Sequence, residues 1–331
     1  MKYIAFILLL ISLNSCSTNE KSLVINSGLT QGTEYYIEYI SNNGEDYQTS
    51  IDSILYEVDS SLSTYKDYSL ISELNKSYSV KVDDLFVKVF KKAKEVYKET
   101  NGYFDCSVNP LVDAWGFYET NFVTKDIDST KISDALSNIG FDKISLIGDS
   151  VFMQKNMKLD FNAIAQGYTV DLIANFLQKK GIYNYLINVG GELIAKGKNE
   201  DGKIWSIGID KPSNEIDNDD RFIQTIYLRD MALATSGNYR KFYVKDGKKY
   251  SHIINPITGF PSSNRLLSVT VVHKNCMTAD AYATAFMTMG LKSTKKFLEG
   301  RSDIEVFLVY NGPSGEWKTF ASPKLKNRFI N

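Results

Sequence analysis

The chain has 331 residues, 43% of them apolar, enough for one large domain or two modest ones with a real core, which excludes a disordered tail. Its 38 Lys and Arg against 39 Asp and Glu leave a net charge of -1, so no broad electrostatic field argues for nucleic acid or an acidic partner surface. Any site has to be local; the 21 Tyr and 18 Phe can stack on a planar ligand, although such residues mainly fill cores.

Lys2, an apolar run from Tyr3 to Leu13, then Asn14-Ser15-Cys16 and a polar stretch read as a signal peptide over residues 1–15. The run is short for a membrane-spanning helix, which needs about 20 residues. Leu13-Asn14-Ser15-Cys16 resembles a bacterial lipobox, with Asn14 where a small residue is usual. The expected product carries lipid on Cys16, a tether over 16–23 and a folded unit over 24–331, with plain secretion as the alternative. Cys106 and Cys276 belong to no CxxC or metal-ligand cluster, so each reads as a small buried residue, and their pairing is open.

Thr33 to Ile40 has the β-branched and aromatic content of a strand, closed by Ser41-Asn42-Asn43-Gly44. Ile51, Ile54, Leu55, Val58 and Leu62 recur at helical spacing, as do Leu85, Val89, Ala93 and Val96, with the polar loop Ser63 to Asp67 between them. Asn101 to Asp105 is a helix stop and turn. Val151 to Leu159 reads as a strand, Ala163 to Lys179 as a helix stopped by Gly181, and Tyr185 to Val189 as a strand ending in Gly190-Gly191. Strands are expected over Ile204 to Ile209, Phe222 to Leu228, Leu266 to Val272 and Ile304 to Tyr310, and a helix over Thr278 to Gly290. Without repeats or an obvious linker, this is one α+β unit of mixed or antiparallel sheets with packed helices, a two-lobed arrangement being left open.

Asp280 and Thr284 stand one turn apart on a predicted helix, where hard oxygen ligands suit Mg²⁺; the same spacing is met by residues that cap the helix or complement its dipole. Leu159 to Gly167 sets Asp160 and Asn162 at a strand-to-helix junction, which suits phosphate recognition or plain capping. Asn188 to Glu192 allows close backbone approach but is not GxGxxG, so the dinucleotide fingerprint of a Rossmann fold is missing. His252, one of 2 histidines, could accept a proton from an attacking hydroxyl, and His273 reads as structural. The chain has neither HExxH nor GxSxG, which disfavours a zinc hydrolase and an α/β-hydrolase esterase.

Taken in order, Thr30 to Thr33, Ser63-Thr64-Tyr65, Gly102 to Asp105, Leu111 with Trp115-Gly116-Phe117, Leu159 to Asp171, Asn188 to Glu192, Ala234 to Arg240, Tyr250 to Pro261 and Met277 to Thr284 resemble the ApbE family of FAD:protein FMN transferases. The resemblance runs from Gly28 to Gly290 and implies a T-fold-like catalytic unit. It implies cleavage of FAD, used as substrate, with Mg²⁺: AMP is released and FMN is esterified to a Ser or Thr of another protein. It implies Asp280, Thr284 and the carbonyl of Ala163 as metal ligands and His252 as both base and cofactor contact. Gln31, Tyr65, Tyr103, Phe104, Asp105, Asp160 and Gln166 match positions lining the FAD site. The implied acceptors are flavoprotein subunits of Rnf- or Nqr-like membrane redox complexes, which fits a lipid-anchored protein on the extracytoplasmic face of the cell membrane. Three departures stand out: Gln166 for a usual Lys, Gln31 for Met and Glu192 for Asp. A Mg²⁺-dependent FAD pyrophosphatase would share every ligand, and a non-catalytic flavin-binding lipoprotein is the other alternative.

Overall fold

The computed structural model describes residues 21–117, 129–213, 220–238, 242–245, 248–251 and 253–330. In chain order these form β1 (Ser22–Thr30), β2 (Thr33–Ser41), α1 (Gln48–Leu62), α2 (Leu70–Ser77), β3 (Ser79–Lys81), α3 (Asp84–Glu99), α4 (Asn109–Trp115) and α5 (Ser129–Ser137). There follow β4 (Ser145–Ile147), β5 (Ser150–Phe152), α6 (Ala165–Lys179), β6 (Tyr185–Val189), β7 (Glu192–Lys196), β8 (Trp205–Asp210), β9 (Phe222–Leu228) and β10 (Met231–Gly237). The last are β11 (Phe242–Lys245), β12 (Lys248–Ser251), β13 (Leu266–His273), α7 (Cys276–Phe297), β14 (Glu305–Asn311), β15 (Trp317–Ala321), α8 (Pro323–Lys326) and β16 (Phe329–Ile330).

The main sheet has the order β1-β2-β6-β7-β10-β13-β14-β15 and is antiparallel at every pairing. Alternation of side chains along each strand builds two layers from it. Val269 and Val271 on β13, with Val306 and Leu308 on β14, pack with α3 and α7. Tyr185, Ile187 and Val189 on β6 face α1 and α6 on that same side. The intervening Leu233, Val272, Phe307 and Val309 turn the other way, onto Ile207, Ile226 and Leu325 of β8, β9 and α8. The fold is therefore α+β with antiparallel sheets, as expected.

α1 and α3 bury the predicted stripes, and Asp83 caps α3 by accepting from the Phe86 N–H at 2.8 Å. Four of the differences from the sequence expectation are these. β1 is an additional strand, starting at Ser22 within the expected tether. α2 lies in the stretch after the Ser63 to Asp67 loop, started by the Ser69 side chain, which accepts from Ser72 N–H at 3.1 Å. The strand expected over Val151 to Leu159 ends at Phe152: β5 pairs with the three-residue β3 and β4, Asn156 takes φ 72, and the Leu159 backbone is held by the Asn75 side chain at 2.7 and 2.9 Å instead of a strand. The last expected helix starts at Cys276 and continues to Phe297 through a kink at Gly290.

Candidate active site

α6 and α7 cross at Gly167, and the crossing has no room for a side chain. A Cβ on Gly167 would lie 2.5 Å from the Cys276 carbonyl oxygen and 2.8 Å from Asp280 Cβ. At that contact the Gly167 N–H donates to Asp280 Oδ2 at 3.1 Å. Asp171, one turn further along α6, accepts from Cys276 N–H at 2.8 Å and Met277 N–H at 3.0 Å, so it caps α7 from the neighbouring helix, the Asn275 side chain making no cap bond. Burial pushes the Asp171 carboxyl up to about 6 against the pull of these two donors.

Asp280 is buried, and loss of solvent holds its carboxyl well above the ordinary carboxylate range; the Gly167 N–H opposes that rise and the charge of Asp171 adds to it. One turn on, Thr284 Oγ1 lies 3.0 Å from Ser236 Oγ on β10. Both Asp280 and Thr284 line a cleft of about 1120 Å³, together with Ala163, whose turn precedes α6, and Gln166 at the start of that helix. Asp280 Oδ1 has no protein partner among the described residues. A carboxylate, a hydroxyl and a backbone carbonyl are hard oxygen donors that fit Mg²⁺ completed by phosphate or water, and no group of three His, Cys, Asp or Glu able to hold a metal occurs among the described residues.

Two hairpin turns roof this end of the cleft. Gln31-Gly32 joins β1 to β2, both residues with positive φ, and Gln31 Nε2 donates to Thr169 Oγ1 on α6 at 2.8 Å. Gly190-Gly191 joins β6 to β7, and a Cβ on Gly190 would come within 2.8 Å of both Gln166 Nε2 and Thr33 Cγ2. Glycine here lets the turn close on the start of α6.

Tyr103, Phe104, Asp105 and Asp160 line the same cleft. Phe104 is buried. Asp105 is spent on its own loop and on Phe141: Oδ1 accepts from Ser107 N–H at 2.7 Å and Ser107 Oγ–H at 2.6 Å, and Oδ2 from Phe141 N–H at 3.3 Å. Its carboxyl is nonetheless pushed up to about 6 by burial. Asp160 accepts from Asn162 N–H at 2.7 Å, ordering the turn that presents Ala163. Tyr65 stands on the rim, 72% exposed, where a ring is available for stacking.

Every described residue of the expected site thus reaches one cleft. His252 and Cys16 lie outside the described residues; Ile253, next to His252, lines the cleft. Sequence reasoning missed Asp171 as a cap, Ser236 as a partner of Thr284, and Thr288, which lines the cleft one turn after Thr284. The spacing of four from Thr284 signals Thr288; pairing with Ser236 crosses 48 positions and has no local signal. Cys106 and Cys276 are buried, as expected, and both are free, which answers the pairing the sequence leaves open.

Comparison with known proteins agrees with this geometry. The ApbE family matches residues 31–308. The FAD:protein FMN transferase of Vibrio cholerae is 38% identical over 311 residues, covering 91% of this chain and 91% of that protein. That of Haemophilus influenzae is 31% identical, covering 92% and 91%. Among solved structures, the flavin transferase ApbE of Vibrio cholerae superposes with a TM-score of 0.82 at 36% identity, covering 93% of this chain and 100% of that one. The apo flavinyl transferase ApbE of Pseudomonas stutzeri gives 0.84 at 29% identity, covering 93% and 97%.

Proposed function

Since the chain belongs to the ApbE family and is a flavin transferase, we propose that it splits the pyrophosphate of FAD in this cleft and moves FMN onto a Ser or Thr of a flavoprotein subunit. The oxygen of the acceptor hydroxyl bonds to the FMN-side phosphorus, the phosphoanhydride bond to AMP breaks, and the hydroxyl proton passes to a base. The observation that carries the reading is the placement of Asp280 and Thr284 at the α6–α7 crossing, in one cleft with Gln31, Tyr65, Tyr103 and Asp160.

Asp280, Thr284 and the Ala163 carbonyl are the residues that would hold Mg²⁺. When bound, Mg²⁺ supplies neutralisation of the phosphoryl charge. Gly167 fixes the Asp280 carboxylate before substrate arrives, and fixed groups need no reorganisation during reaction. Gln166 and the Gly190-Gly191 turn offer neutral donors to phosphate, where a lysine would add a charge. His252 is the proposed base, supported by the order of the sequence blocks and by Ile253 in the cleft wall. The basic start, apolar run and Cys16 support a lipid anchor on the extracytoplasmic face of the membrane, within reach of Rnf- or Nqr-like acceptors. Among the described residues no helix is long and apolar enough to cross a membrane.

The test is mass spectrometry of candidate membrane redox subunits incubated with the protein, FAD and Mg²⁺. A mass gain equal to FMN, lost with EDTA, is expected. FAD converted to FMN and AMP without any gain would instead make the protein a pyrophosphatase, and intact FAD would make it a binder.

A further inference from the structure

One of the two three-stranded sheets runs β16-β9-β8, so among the described residues β8 pairs with β9 alone and its other side is an open edge. The register decides which backbone groups face that edge. On β9, the Tyr227 N–H donates at 2.7 Å to the Arg328 carbonyl on the β16 side, so Tyr227 points away from β8. Ser206 sits opposite Tyr227, and Gly208 opposite Thr225. Opposed residues in an antiparallel ladder either bond each other or both point away, so Ser206 and Gly208 direct their N–H and C=O groups outward while Ile207 and Ile209 bond β9. These outward groups have no hydrogen-bond partner among the described residues. Ser206 to Asp210 all line the cleft that holds Asp280 and Thr284. Consecutive strand residues do so when the strand offers its edge rather than one face.

We propose that an extended segment of the acceptor protein pairs with the open edge of β8 through Ser206 and Gly208, and that this pairing carries the acceptor hydroxyl into the cleft. The proposal rests on the transferase reading above. Donors and acceptors repeating together every 6.7 Å or so complement another backbone, whereas a phosphate uses donors alone. Arg221, beside β9, already donates to Asp210 at 2.8 and 3.1 Å, so this wall favours a polypeptide over a second anion. Phe222 is 48% exposed and packs across Gly208, where a Cβ would come within 2.4 Å of the ring, leaving an aromatic shelf beside the pairing site. Open edges are commonly protected by proline or lysine, and Trp205 to Asp210 contains neither.

The experiment uses the acceptor subunit that gains FMN in the assay above, with its target hydroxyl residue replaced by alanine so that the complex does not turn over. Mixed with the full protein and FAD, it should slow amide hydrogen exchange at Ser206 and Gly208 by about tenfold or more. Unchanged exchange there overturns the pairing. Ser206→Pro removes one outward N–H without removing a β8–β9 bond, and should raise the KM for acceptor about tenfold, the worth of roughly one backbone hydrogen bond, with the KM for FAD unmoved. An unaltered acceptor KM, or an equal rise in both, overturns the proposal. If Ser206→Pro does not fold, the exchange measurement on the unaltered protein decides. FMN transfer without protection of β8 removes only the strand pairing, while failure of any subunit to gain FMN removes the transferase reading as well.

Discussion

Replacing Gly167 by alanine should slow flavin transfer about a hundredfold while costing the fold only about 1 kcal/mol. The added Cβ would lie 2.5 Å from the Cys276 carbonyl oxygen and 2.8 Å from Asp280 Cβ, so reaching ordinary contact at 3.4 Å requires the start of α7 to retreat by about 0.9 Å. Backbone cannot swing aside as the end of a long side chain can. Overpacking of this kind costs about 1–3 kcal/mol, of which the better helix propensity of alanine returns about 1. Activity suffers more, because the retreating segment carries Asp280, and a shift of about 1 Å in a catalytic constellation is worth roughly 10² in rate. Transfer rate and urea unfolding are to be measured on the same preparation. A variant that transfers FMN at the wild-type rate would refute the claim that this crossing positions Asp280.

Further outcomes can be checked independently. Asp280→Ala should lower Mg²⁺-dependent transfer by at least about a hundredfold, and full activity would remove the metal assignment. Gln166→Lys should tighten FAD binding about tenfold through a charge-assisted contact, as read by titration calorimetry; unchanged or weaker binding would show that Gln166 does not face phosphate. Asp105 has a folded pKa of about 6 against an ordinary 3.8, so the native state holds its proton longer than the unfolded state. Its contribution is therefore fully present below about pH 4 and is lost as pH rises through about 6, with a slope of up to about 1.4 kcal/mol per unit. Asp171 adds in the same direction, and Asp105→Asn should flatten part of that fall in urea titrations between pH 4 and 7. Arg328→Ala should destabilise by about 3 kcal/mol, because Glu305, 1% exposed, would keep only Lys324 at 3.9 Å in place of the pair bonds at 2.7 and 3.0 Å. Adding Glu305→Leu should recover most of the loss in the same assay.

The amino-acid sequence by itself determined the elements whose local pattern is clear: α1, α3, α6 and the strands β2, β6, β8, β9, β13 and β14. It also determined the order of the blocks that make the site, because glycines, acids and hydroxyls placed for chemistry are visible one at a time. It did not reveal where a strand would find partners. Val151 to Leu159 reads as a strand, yet only Val151 and Phe152 of it meet β3 and β4, after which Asn75 replaces a strand as partner of Leu159. β10 is not legible in the sequence because Met231 to Gly237 is rich in Ala, Ser and Gly, with a single β-branched residue and no aromatic one; its place between β7 and β13 comes from the sheet. The same holds at the site. That Asp171 caps α7, that Gly167 must lack a side chain, that Ser236 meets Thr284, and that β8 presents an open edge to the cleft are facts about pairs far apart in the chain. Local pattern sets what a segment can form, but burial and hydrogen bonding between distant segments select which possibility is realised, and only the tertiary structure fixes those distances.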